Sequence, residues 1–96
     1  MLEQVMISTQ NAKKLMPLLH SALEREEKLL SFSIRRTLDA LKIYEDRHRM
    51  SSDKFERLFL AKEIEESLDY LDWWMELEAL HHLEEQRQTL TDAKFI

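Results

Sequence analysis

One long run of regularly spaced apolar residues limits what this chain can fold into. Between Leu18 and Arg49 such a residue recurs at intervals near three, four or seven, and neither glycine nor proline interrupts the run. This spacing places the side chains on one face of an α-helix. The whole chain has no glycine and one proline, Pro17, so we expect an all-α fold. The face comprises Leu19, Leu23, Leu30, Ile34, Thr37, Leu38, Leu41, Tyr44 and His48.

Two further helical stretches follow the long one. Met50 to Asp53 breaks the periodicity, and Ser51 or Ser52 can cap a new helix that carries Phe55 and Phe59 on one side. We therefore predict an antiparallel helical hairpin with a short third helix at the turn, assembling as a dimeric helical bundle. The single domain, residues 1–96, comprises helices from Pro17 to Arg49, Asp53 to Ala61 and Glu63 to Thr89, with a frayed segment 1–8 and a flexible tail 92–96.

Charge is distributed unevenly between the two long helices. Glu63 to Gln86 contains nine carboxylates and no Lys or Arg, whereas Arg25 to Lys62 contains ten basic and seven acidic residues. Opposite charges favour antiparallel packing of the two helices or the approach of a basic partner protein. A solvated charged face on each helix is the alternative interpretation. The acidic helix also argues against direct binding of nucleic acid.

The acidic helix carries more apolar surface than one neighbour can cover. On a helical wheel Tyr70, Trp74 and Leu77 form one flank, and Leu68, Leu71 and Met75 form the other. This arc is about twice what one packed helix needs, so we expect a second neighbour, most simply another copy of the chain. Trp73 projects toward the acidic side, as an interface anchor or as a partly exposed side chain in a surface groove. The predicted partner-binding residues are Asp69, Tyr70, Asp72, Trp73 and Glu76.

One spacing has the chemistry of a metal site. Glu78 and His81 form a Glu-x-x-His motif, which carboxylate-bridged four-helix bundles use to bind metal. The candidate ligands are Glu26, Glu78, His81 and Glu85. Because glutamate is abundant in this chain, a structural His–Glu pair is the default interpretation, and we predict no metal and no cofactor.

Several function classes lack support in the sequence. No glycine-rich loop or nucleophile constellation is present, and the basic group Arg47-His48-Arg49 fits a helix end that complements the helix dipole. The chain has no cysteine, no apolar run long enough to cross a bilayer and no signal peptide. We therefore expect a cytoplasmic protein that is not an enzyme and does not enter a membrane.

Three segments resemble a group of small prokaryotic helical proteins. They are Leu23-Glu24-Arg25-Glu26 through Arg36-Thr37, then Met50-Ser51-Ser52-Asp53-Lys54-Phe55, and Ser67-Leu68-Asp69-Tyr70-Leu71-Asp72-Trp73-Trp74. This chain is similar to the group in three features, namely a long basic helix, a Met-Ser/Thr turn that ends in Phe, and an acidic aromatic helix. Genes of the group often lie beside toxin-like genes, so the resemblance implies an antitoxin. This chain differs at Trp74 and at the pair His81-His82.

The residues and the resemblance together predict a small acidic regulator that binds another protein. We expect a homodimeric antitoxin that neutralises a basic toxin encoded nearby, by occluding it with an acidic aromatic helix. Two alternatives remain at this point. One is a homodimeric coiled-coil adaptor without a toxin, and the other is a carboxylate–histidine metal protein.

Overall fold

The computed structural model describes residues 2–93 and is all-helical over that range. It contains α1 (Ala12–His48), α2 (Ser52–Leu60) and α3 (Leu68–Asp92), and no strand occurs in the described part of the chain. The prediction of an all-α fold is confirmed. Residues 2–9 form no regular secondary structure. Most of the predicted tail, from residue 94 onward, lies outside the described residues.

Each helix begins at a side-chain cap. The side chains of Asn11, Ser51 and Ser67 accept hydrogen bonds at 3.1 Å from the backbone N–H three residues later. The cap at Asn11 starts α1 at Ala12, so Pro17 lies inside the helix and is not its first residue. The cap at Ser67 starts α3 at Leu68, which is later than the predicted start at Glu63.

Two residues with positive φ close the helix ends without glycine. Arg49 has φ 52° and caps the C-terminus of α1 in the left-handed conformation, and its N–H bonds the carbonyl of Glu45. Lys62, in the turn after α2, has φ 57°. These conformations ordinarily favour glycine because a Cβ atom crowds the following carbonyl.

α1 and α3 run side by side in opposite directions. Near the turn, Arg47 of α1 contacts Asp69 at the start of α3. At the other end, Glu26 and Leu90 line the same groove. α2 packs beside α3 at the turn end. The core between the three helices consists of Ile34, Leu41, Phe55, Trp73, Leu77 and Leu80.

Part of the apolar surface of α3 stays outside this core. Leu71, which the wheel places among the apolar positions of the helix, is 47% exposed, whereas Leu30 on α1 is buried. No helix in the described part of the chain is long and apolar enough to span a membrane.

Candidate functional site

Trp73 lies at the centre of the junction between the helices. Its side chain is fully buried, and its ring stacks on Phe55 with centroids 3.9 Å apart. Its indole N–H donates a hydrogen bond of 3.0 Å to Ser52 Oγ. Tyr44 and His48 of α1 also stack on it, with centroids 5.9 and 5.5 Å away. The expectation that the hairpin leaves Trp73 exposed is wrong, because α2 lies directly over the indole.

Asp69 and Tyr70 face the turn end of α1. The half-buried Asp69 carboxylate bonds both Arg47 Nη1 and His48 Nε2. The Tyr70 ring packs against His48 at 4.9 Å and Phe55 at 5.5 Å. Both residues therefore connect α3 to the rest of the fold, and much of their surface is already in contact.

The pKa of Tyr44 depends on the carboxylates of α3 that lie near it. Burial raises the pKa of its hydroxyl above the usual value. Nearby negative charges raise the same pKa further, from Asp72, Asp69 and Glu76 in decreasing order, while Arg47 lowers it. These carboxylates therefore lie along the edge of α3 beside Tyr44. Asp72 is exposed and makes no ion pair among the described residues, whereas Glu76 is half-buried.

An exposed apolar stripe lies on the face of α3 opposite its buried residues. Leu68, Leu71 and Met75 are 82%, 47% and 61% exposed and follow one another at helical spacings of three and four. Asp72, four residues after Leu68 and three before Met75, lies at the edge of this stripe. We call these four residues the acidic-apolar surface. The helical wheel places the three apolar residues on one flank, yet the sequence interpretation chose Trp73 as the anchor.

The four candidate metal ligands fall at two separate places. His81 lies 3.6 Å from Glu56 of α2 and 3.9 Å from Glu78. Glu26 and Glu85 instead line a shallow groove of about 440 Å³ at the open end of the hairpin. Among residues 2–93, no group of three or more His, Cys, Asp or Glu is placed to hold a metal ion.

Comparison of the chain with protein-family models, curated proteins and solved structures gives no match. The resemblance to antitoxin-like proteins therefore stays a prediction.

Proposed function

We propose that this protein is a small acidic regulator that binds another protein through the acidic-apolar surface of α3. The observation that carries the proposal is the exposure of three apolar residues at helical spacing, Leu68, Leu71 and Met75, on one face of α3. Contiguous exposed apolar side chains rimmed by polar residues are typical of protein-binding sites. No described element of the chain covers this stripe.

The charge around the stripe supports a basic partner. No Lys or Arg occurs from Glu63 to Gln86, and Arg47 of α1 compensates only Asp69. Asp72 therefore presents its negative charge to solvent at the edge of the stripe. A basic helix or groove with apolar contacts matches both properties of the surface. The half-buried Glu76 extends the negative field along the same helix.

The specific role we propose is that of an antitoxin. Bound to a basic toxin, the carboxylates of α3 take the place of the anionic groups of the toxin's substrate, and the apolar stripe supplies buried contact area. Inhibition then occurs by occlusion of the toxin surface. The buried Trp73 supports this arrangement from beneath by holding α3 against α2, and it makes no contact with the partner.

Co-expression with the neighbouring gene tests this role. The neighbouring gene alone should arrest growth, and co-expression of the parent chain should restore it. The double variant Leu71→Ser with Met75→Ser should fail to restore growth. A matched pair on α1, Leu38→Ser with Ile43→Ser, removes similarly exposed side chains and should protect like the parent. Equal protection by both double variants would show that the stripe is not the contact.

A homodimeric adaptor is the second candidate. It is favoured by exposed apolar residues along α1, among them Leu18, Leu29, Phe32 and Ile43. These side chains resemble the unpaired seam of a coiled coil. Light scattering distinguishes the candidates, because an adaptor is a dimer without any need for the neighbouring gene product. An antitoxin can also be a dimer, but it must bind that product.

A further inference from the structure

The first turns of α1 extend past the end of α3. α1 has 37 residues and α3 has 25, and the two helices are level at the turn, where His48 contacts Asp69. At 1.5 Å per residue the difference in length is about 18 Å. The projecting part begins at Ala12 and ends close to Glu26, which lies opposite Leu90 near the end of α3. No other described helix packs against it.

The projecting segment continues the apolar stripe that builds the core. Met16, Leu19 and Leu23 fall on the same helix face as Leu30 and precede it at spacings of three, four and seven. They are only partly buried, and the core cluster includes none of them. An apolar stripe that leaves the core and continues into solvent needs a partner helix to bury it.

Charges along the edge of this stripe identify the partner. Lys13, His20 and Glu27 follow one another at intervals of seven residues and therefore share one flank. The exposed Lys13 and Glu27 make no ion pairs among the described residues. A second copy packed antiparallel about a two-fold axis near His20 brings Lys13 beside Glu27 of the partner subunit. A parallel copy instead places lysine beside lysine and glutamate beside glutamate.

We infer that two copies of this protein associate through antiparallel pairing of the segment Ala12 to Glu27 of α1. In this arrangement Leu19 packs against Leu23 of the partner subunit, and each salt bridge occurs twice because of the two-fold symmetry. The hairpins then point away from each other, which leaves both copies of the acidic-apolar surface free. This self-association is separate from the binding proposed for α3, so either can fail without the other.

Charge reversal tests the pairing. Lys13→Glu and Glu27→Lys should each raise the dissociation constant of the dimer by about tenfold, since each creates like-charge contacts at two symmetric positions. The double variant should return it close to the parent value. Lys13→Glu places a negative charge in the first turn of α1, which suits the helix dipole, so loss of helix cannot explain a weaker dimer. Sedimentation equilibrium measures the constant, and circular dichroism monitors the helix.

Cross-linking tests the direction of pairing independently. The chain has no cysteine, so Ala22→Cys and Ala12→Cys each introduce a single thiol on an exposed alanine of α1. A short bis-maleimide should join two copies at position 22, near the axis, but not at position 12, where the thiols lie more than 20 Å apart by the helix rise, about 1.5 Å per residue. Equal cross-linking at both positions, a monomeric parent chain, or a double charge variant that is not restored would overturn the inference.

Discussion

The indole N–H of Trp73 donates to Ser52 Oγ at 3.0 Å, and this bond joins the middle of the acidic helix to the first turn of α2. Both side chains are buried, so the bond forms away from water. Phe55, one turn further along α2, stacks on the same indole with its plane tilted by 3°. α2 is thus the cover of Trp73 and an integral part of the fold.

Ser52→Ala should destabilise the protein by about 1–3 kcal/mol, because it leaves a buried indole N–H without an acceptor. The cap of α2 is unaffected, since Ser51 provides it. Urea unfolding measures the loss. Ser21→Ala, on an exposed position of α1, is the control and should change the unfolding free energy little. Equal stability of the two variants would mean that the Trp73–Ser52 bond contributes nothing.

Leu30→Ala should destabilise the protein more than Leu71→Ala, because Leu30 is buried and Leu71 is exposed. Leu30 is 6% exposed, so its truncation should cost about 2–5 kcal/mol. Leu71 is 47% exposed, and its truncation should cost less than about 1 kcal/mol. Thermal or denaturant unfolding gives both values. Similar losses would indicate that Leu71 is buried in solution, for instance in an assembly of α3 helices.

Lys62→Gly should stabilise the protein by up to about 1 kcal/mol, because glycine has no Cβ to crowd the backbone at the positive φ of this position. Arg57→Gly is the matched control, since it removes the same charge from the last turn of α2. It should destabilise by about 1 kcal/mol through lost helix propensity. If both variants lower the midpoint of denaturation, the turn after α2 does not hold Lys62 in the left-handed conformation.

Tyr44 should make stability decrease at high pH. Its pKa is higher in the folded state than in the unfolded chain, so the folded state holds the phenolic proton more tightly. This stabilisation is complete below the unfolded pKa of about 10 and is lost as the pH rises through the folded pKa. Tyr44→Phe should therefore reduce the alkaline loss of stability.

Asp72 provides a second test of the Tyr44 pKa. Asp72→Asn should lower the Tyr44 pKa, because Asp72 has the largest effect of the three carboxylates that raise it. Asp39→Asn, at an exposed position of α1, is the control. Tyrosinate absorbance, taken as the difference between each protein and its Tyr44→Phe counterpart, follows the titration. An unchanged midpoint in Asp72→Asn would place that carboxylate too far from Tyr44 to act on it.

Local sequence signals were sufficient to predict the helices. The periodicity before Arg49, the serine cap at Ser51 and the lack of glycine all act within one or two turns of the chain. The cap at Ser67 was not recognised, so the predicted start of α3 at Glu63 came too early. The first residue of α1 was harder to predict from Pro17, because a proline fits the first turn of a helix but does not determine where that turn begins. The cap at Asn11 decided the start of α1.

The environment of Trp73 was predictable only in part. Trp73 shares one face of α3 with Leu77 and Leu80, at helical spacings of four and three, and this face packs against α1, so the wheel was misread at this position. The cover that α2 adds through Ser52 and Phe55 is a tertiary contact that the pattern of α3 does not contain. The acidic-apolar surface was visible on the wheel, but its exposure depended on which flank α2 covered.

Calorimetric binding of the neighbouring gene product to purified parent chain, Asp72→Lys and Asp39→Lys tests the proposed function most directly. Both variants change an exposed aspartate to lysine, but only Asp72 lies in the acidic-apolar surface. We predict at least about tenfold weaker binding for Asp72→Lys, parent-like binding for Asp39→Lys, and weaker binding of the parent as salt shortens the Debye length from about 10 Å at 0.1 M. Equal affinities of all three proteins, with no dependence on salt, would contradict the account.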